Sequence, residues 1–308
     1  MSLMACFIDH SMVQAERLAQ LAHEKKPWQT KCADAGLLLI VTCLRLEIYG
    51  DANVIPRYAD QLFGSEFSTI DDQVEIAERI AGIAAGLYSH VLGEAYIFEQ
   101  VQTAVHRVPL HHEIRMVADR ALDVAKVVRR NNGFVSKLSY DDIAFKLLLD
   151  QKEFEVGRCS LFVIGGGMLG QSILKHAATE AFSHIYGVSR NPKTLRRRLK
   201  HLGEEMPMVL RAEDCRDIEG NYCCILATTD VDAVYASEIA NVVSASRCVK
   251  AVDLSSIPVL LDRKANYIDL YSPSFLACVS ENNAAMMHMS EPVRLEIKNE
   301  TASISISI

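Results

Sequence analysis

Thr42-Cys43-Leu44-Arg45 closes the apolar run of residues 36–41 and is followed by Glu47 and Tyr49. A thiol at the end of a buried strand, with a guanidinium two residues on, can do chemistry. The thiolate attacks a carbonyl while the fixed cation holds an anion carried by the same substrate. If the chain stays extended here, Cys43, Arg45 and Glu47 share one face of the strand, and Leu44, Leu46 and Ile48 the other. On spacing alone a core cysteine beside a surface arginine fits the pattern at least as well, because free cysteine is among the most buried residue types.

A second stretch has a different chemistry. Leu161-Phe162-Val163-Ile164 runs into Gly165-Gly166-Gly167-Met168-Leu169-Gly170, and a helix-compatible segment extends from Gln171 to Thr179. This is the Gly-x-Gly-x-x-Gly pattern in the strand–turn–helix setting that it requires. Gly165 allows the tight turn, Gly167 lets the backbone approach a pyrophosphate, and Gly170 lets helix and strand pack closely, with the helix N-terminus facing the phosphates. The next strand ends at Ser189-Arg190-Asn191, where an NAD site would place an acid. A hydroxyl and a guanidinium there favour the 2′-phosphate of NADP, with Arg190 as its partner. Arg196–Arg198 read as a solvated helix face. Ala227-Thr228-Thr229 follows a later strand at the edge where ligands of parallel sheets gather, which makes Thr228 a cofactor contact or a simple turn residue.

These residues need elements to hold them. Residues 4 to about 150 read as one α/β unit. Helices are expected over Gln73–Ala85, through Ile76, Ala77, Ile80, Ala81 and Ala84, and over Glu113–Arg130, stopped by Asn131-Asn132-Gly133. Beyond them, strand-like runs at Cys159–Ile164, His184–Val188, Tyr222–Ala227, Cys248–Leu254 and Tyr267–Leu270 alternate with helical stretches, the signature of a parallel sheet. Cys223 and Cys224 read as core. The chain after Ser280 is polar, carries Pro292 and ends in a Ser/Ile alternation, read as an edge strand or disorder. The resulting division is 1–151, 152–285 and a tail over 286–308.

Composition narrows the class. The 308 residues are 50% hydrophobic and 23% charged, ordinary for a globular chain and enough for two cores. A net charge of −7 argues against broad nucleic-acid binding, DNA included, but allows a local basic patch on a structured RNA. Arg115, Arg120, Lys126, Arg129, Arg130 and Lys137 form the candidate patch, though such a run is usually a wet helix face. Nine scattered cysteines without a C-x-x-C pair fit neither a zinc knuckle nor a disulfide framework; reduced thiols in a cytoplasmic protein fit them. His111 and His112 lack partners at metal-ligand spacing, so no metal is expected. No signal-peptide pattern opens the chain, and no apolar run reaches the roughly twenty residues of a membrane helix.

Taken in order, the motifs resemble the glutamyl-tRNA reductase family. Its nucleophile motif Ser-Thr-Cys-Asn-Arg-x-Glu-x-Tyr appears as residues 41–49, Val-Thr-Cys-Leu-Arg-Leu-Glu-Ile-Tyr. Its Gly-Leu-Asp-Ser-Met-Val-Leu-Gly-Glu-Pro-Gln-Ile-Leu-Gly-Gln segment appears as residues 86–100, Gly-Leu-Tyr-Ser-His-Val-Leu-Gly-Glu-Ala-Tyr-Ile-Phe-Glu-Gln. A family helix is echoed by Ala121–Arg129, and the likeness runs from about residue 6 to 280.

The resemblance implies an N-terminal α/β catalytic domain followed by a Rossmann-type NADP-binding domain. It implies NADPH-dependent reduction of glutamyl-tRNA to glutamate-1-semialdehyde through a thioester on Cys43, the entry to five-carbon tetrapyrrole synthesis. By it, Arg45 holds a carboxylate of the glutamyl group, and Thr42, Ser89, Glu94 and Gln100 line the substrate pocket. His10 falls on an N-terminal family histidine. The substrate partner is glutamyl-tRNA, and the aminomutase that consumes the semialdehyde is a candidate protein partner. The chain departs from the pattern at Leu44 (asparagine in the family), Arg79 (histidine), Tyr88 (aspartate), Ala95-Tyr96 (Pro-Gln) and Glu99 (glycine). It is also expected to stop before the family's long helix and dimerisation domain. Two alternatives stay open: a relative that reduces another aminoacyl or acyl thioester, and a silent NADPH-binding regulator.

Overall fold

The computed structural model describes residues 2–64, 66–150, 155–200, 203, 206–228, 231–260, 265–302 and 304. They group into two units, residues 1–137 with 281–308, and residues 138–280. The expected boundary at 151/152 therefore moves to 137/138, and the expected tail joins the first unit.

The first unit is built on a four-stranded antiparallel sheet of β1 (Leu3–Asp9), β2 (Leu38–Thr42), β3 (Arg45–Asp51) and β4 (Ser68–Ile70), in the order β2-β3-β1-β4. Side chains of period two feed two cores. Cys6, Ile8, Leu39, Leu46 and Ile48 pack with residues of α1 (Ala15–Lys25), α2 (Trp28–Asp34) and α3 (Ile55–Phe63). Leu3, Ala5, Leu38, Ile40 and Tyr49 pack with α4 (Gln73–Ala85), α5 (Tyr96–Arg107) and α6 (Glu113–Asn132). Helix α4 matches the range read from its period. Asp72 caps its start by accepting the Glu75 N–H at 2.9 Å. Helix α6 ends at Gly133 in the left-handed conformation, as its sequence predicts. Burying one Ile or Val of these stripes is worth about 1.5–3 kcal/mol, against tenths per residue from helix propensity, so the apolar stripe decides where the helices form.

The single strand expected through Cys43 is replaced by a hairpin. Thr42 pairs with Arg45, and Cys43-Leu44 is the two-residue turn between β2 and β3. Two-residue hairpins usually use glycine or asparagine at positive φ. Here neither Cys43 nor Leu44 has positive φ, and the turn is held by hydrogen bonds. Thr42 Oγ1 accepts the Leu44 N–H at 3.2 Å, and the Leu44 carbonyl accepts the His10 N–H at 3.1 Å.

The second unit opens with α7 (Tyr140–Leu149), whose Asp141 accepts a hydrogen bond from Ser172 at 3.2 Å and whose Phe145 ring lies 4.3 Å from that of His176. Then follow β5 (Ser160–Ile164), α8 (Met168–Ala177), β6 (His184–Val188), α9 (Pro192–Leu199), β7 (Met208–Leu210), β8 (Tyr222–Leu226), α10 (Ala233–Ser244), β9 (Cys248–Asp253) and β10 (Tyr267–Asp269). All six strands are parallel in the order β10-β9-β8-β5-β6-β7. Strand order reverses between β5 and β8, the switch point at which open α/β sheets bind ligands. Cys223 and Cys224 are fully buried in β8, as core residues.

Residues expected as a tail after 285 instead continue helix α11 (Pro273–Thr301). Its Met286, Val293 and Ile297 enter the α4–α6 core. Buried positions 286, 293 and 297 recur at helical spacing, but Pro292 and the polar residues between them hide the period from the sequence. The Ser/Ile run over 303–308 lies outside the described residues except for Ile304. Among the described residues, no helix is long and apolar enough to cross a membrane.

Candidate functional site

The hairpin presents Cys43 half-buried at its tip and starts β3 with Arg45, whose side chain enters the core face alongside Glu47 and Tyr49. Two buried charges on adjacent face positions need partners. Glu47 has one in Arg79 of α4: Nε to Oε2 at 2.7 Å and Nη2 to Oε1 at 2.9 Å. The same Arg79 donates to Asp9 at 2.9 Å and lies 3.5 Å from the Phe7 ring centroid, and the Tyr49 hydroxyl donates to Glu47. Arg45 is left differently. It donates through Nη2 to the Tyr88 carbonyl, and its Nη1 stands 3.8 Å from Glu47. Only 1% of Arg45 is exposed, yet its Nε and Nη1 have no hydrogen-bond acceptor among the described residues. Such a buried guanidinium edge is expensive unless an anion fills it.

The loop from Gly86 to Ala95 closes over this face. Arg129 of α6 donates to the carbonyls of Glu94 at 2.8 Å and Gly93 at 3.1 Å. Asn283 of α11 accepts the Leu92 N–H at 2.9 Å and donates to the His90 carbonyl at 2.8 Å. The loop thus sets Glu94 in a buried place. Burial pushes its carboxyl up to about 7, against Arg129, Arg45 and the Ser89 hydroxyl, which favour the charged form. Burial, with the Glu94 carboxylate next, pushes the Cys43 thiol up to about 11, and Arg45 pulls it the other way. Burial and His10 together keep the His90 imidazole below its ordinary value.

Cys43, Arg45, Glu94 and Ser89 therefore form one electrostatic group. Thr42 supports the turn through its hydroxyl. Gln100, one of the expected pocket residues, lies exposed on α5. The roles of Arg79 and Asn283 lie beyond sequence reasoning, since their partners are distant in the chain. Arg129, read as part of a wet basic face, clamps the loop instead. Arg115 likewise turns inward to Asp119 at 2.7 Å and to the Val108 carbonyl at 2.9 Å, leaving Arg120, Lys126, Arg130 and Lys137 exposed.

The glycine turn in the second unit fits a dinucleotide. A Cβ on Gly165, which has φ of +132°, would stand 2.2 Å from the Ala227 carbonyl oxygen, and one on Gly170 would stand 2.1 Å from that of Gly165. Both positions demand glycine because neighbouring backbone occupies the space. At Gly167 the same space is open, with nothing within 4 Å, where a pyrophosphate would approach the N-terminus of α8. Met168 and Leu169 form the first turn of α8. Gly166 offers its carbonyl to Arg198 Nη1 at 2.7 Å, and Arg196 donates to the Val209 carbonyl at 3.0 Å, so neither arginine is simply solvated. Ser189 Oγ accepts the Asn191 N–H at 3.2 Å, and Thr228 Oγ1 shares a hydrogen bond with Ser255 at 2.9 Å. Arg190 is exposed beside Asp232. Thr229 lies outside the described residues.

The model of the glutamyl-tRNA(Glu) reductase N-terminal domain matches residues 7–132. Protein nfe2 of Rhizobium meliloti is 31% identical over 286 residues, covering 91% of this chain and 92% of that protein. The glutamyl-tRNA reductase of Thermosipho melanesiensis is 28% identical over 201 residues, covering 64% of this chain. This chain spans about half the length of such reductases, 53% of that one and 50% of reductase 1 of Pyrobaculum calidifontis. In fold, the solved glutamyl-tRNA reductase from Methanopyrus kandleri superposes with a TM-score of 0.51 at 16% identity, over 98% of this chain and 79% of that one. The chain belongs to the glutamyl-tRNA reductase family, as a divergent α/β member.

Proposed function

We propose that this protein reduces glutamyl-tRNA to glutamate-1-semialdehyde through a thioester on Cys43, with NADPH as the reductant, as the entry step of tetrapyrrole synthesis. The observation that carries the proposal is Arg45. It is buried, its charge favours the Cys43 thiolate against burial and Glu94, and two of its nitrogens await an acceptor. A substrate carboxylate would fill that edge and fix the acyl carbon near the sulfur.

The free thiol is protonated at neutral pH, so attack needs a base. Glu94, pushed up to about 7 by burial and with its charge felt at the thiol, is the base assigned to that proton. As the Cys43 sulfur bonds to the ester carbonyl carbon, the bond to the tRNA 3′ oxygen breaks, and that oxygen leaves with the proton from Glu94. Arg45 keeps the acyl group in place as the thioester forms. When bound, NADPH supplies the hydride that takes the thioester to the aldehyde. Gly165, Gly166, Gly167, Met168, Leu169 and Gly170 would hold its pyrophosphate, with Ser189, Arg190 and Thr228 toward the rest of the cofactor. The exposed Arg120, Lys126, Arg130 and Lys137 are the surface assigned to tRNA phosphates. All nine cysteines are free, which supports a cytoplasmic setting.

Arg79 supports a second reading, a relative that accepts another aminoacyl or acyl group. It stands at the family histidine and is consumed by Glu47 and Asp9, so that imidazole chemistry is missing. One experiment separates the two. In a single turnover with glutamyl-tRNA, a Cys43 adduct that NADPH discharges as aldehyde is expected, and Cys43→Ser should abolish it. An adduct formed only from another member of a panel of charged tRNAs would replace the first reading by the second.

A further inference from the structure

Arg190 is already engaged with an anion of this chain. Its Nη1 lies 2.8 Å from Asp232 Oδ2, and its guanidinium carbon lies 5.3 Å from the centroid of the Tyr235 ring. Asp232 is set by the start of α10, where its Oδ1 accepts the Tyr235 N–H at 2.9 Å and caps the helix. That N–H above all, with Arg190 beside it, holds the Asp232 carboxyl below the ordinary carboxylate range, so it is ionised at neutral pH.

The topology makes the pair consequential. Arg190 follows β6 and Asp232 follows β8, the two strands that flank β5 and its glycine turn. The ion pair thus spans the sheet edge on which a dinucleotide would lie. A carboxylate and a phosphate monoester present the same oxygens to one guanidinium fork and compete for it.

We infer that Asp232 is a specificity-determining residue for the cofactor, an internal anion that occupies Arg190 and is displaced by the 2′-phosphate of NADPH. Its presence weakens NADPH while leaving NADH, which has no 2′-phosphate, unaffected. The inference rests on the reading of this unit as a dinucleotide site.

Asp232→Asn tests it in the full chain. Asparagine caps helices as well as aspartate does, so α10 keeps its start while the charge is lost. The Kd values of NADPH and NADH, read from nicotinamide fluorescence at low salt, are expected to separate. NADPH tightens roughly two- to fivefold, the scale of an exposed ion pair, and NADH does not change. The gain should shrink as salt is added, and it should vanish in an Arg190→Ala background. NADPH affinity that is unchanged or weaker, or that rises equally for NADH, overturns the inference but leaves the dinucleotide reading standing. Failure of the unsubstituted protein to bind either nucleotide overturns both.

Discussion

Glu94→Gln should stabilise the first unit at pH 8 and have much less effect near pH 5. The carboxyl is buried, and burial raises it from an ordinary 4.5 to about 7. Between those values the folded chain keeps a proton that the unfolded chain has lost, so stability falls as pH rises through the window and levels off above about pH 8. At about 1.4 kcal/mol for each pH unit of separation, the ionised Glu94 costs the fold about 3 kcal/mol at pH 8. Glutamine fills the same space and cannot ionise. Urea unfolding can be followed through Trp28, the single tryptophan, which sits in α2 of the same unit. Comparing the two proteins at pH 5 and pH 8 cancels any pH-independent effect of the substitution. The stability gap should shift by about 2–3 kcal/mol in favour of the variant between the two pH values. If the two proteins lose or gain stability in parallel, Glu94 is not the buried, proton-retaining group described above. The assignment of Glu94 as the base for Cys43 then fails with it.

Two further substitutions probe the frame. Arg79→Ala leaves the fully buried Glu47 without its two-point partner, and a loss of about 3–5 kcal/mol is expected by urea unfolding; part of it should return when Glu47→Gln is added. Gly170→Ala forces a Cβ to within 2.1 Å of the Gly165 carbonyl oxygen, so α8 must move off β5. A cost of about 1–3 kcal/mol is expected, with weaker NADPH binding in a fluorescence titration.

The second unit was the more legible in the amino-acid order. Its parallel strands are buried on both faces and read as short continuous apolar runs, and the glycine fingerprint is local chemistry within six residues. His184–Val188 matches in full, and the other strands match to within one residue at either end. The weak strand Met208–Leu210 escaped because it is three residues long. In the first unit the helices at 73–85 and 113–132 were legible from their period, but the reversal at Cys43-Leu44 was not. It has no glycine, asparagine or proline, and its stability comes from His10, across the sheet, and Thr42.

What the sequence determined alone, then, was the candidate chemistry and much of its local frame: a thiol two residues from a guanidinium, a glutamate after Leu-Gly, and a glycine turn between a strand and a helix. Only the tertiary structure decided which charges meet. Glu47 and Arg79 are 32 positions apart, and Leu92 and Asn283 are 191 apart. Pairings of that separation carry no periodic signal, because they follow from which faces the two cores bury. The same packing spends Arg79 on Glu47 and leaves Arg45 with two open donors. Equal residue types thus come to have unequal surroundings, because in a buried site the placement of the counter-charges decides which guanidinium is fully paired and which keeps open donors.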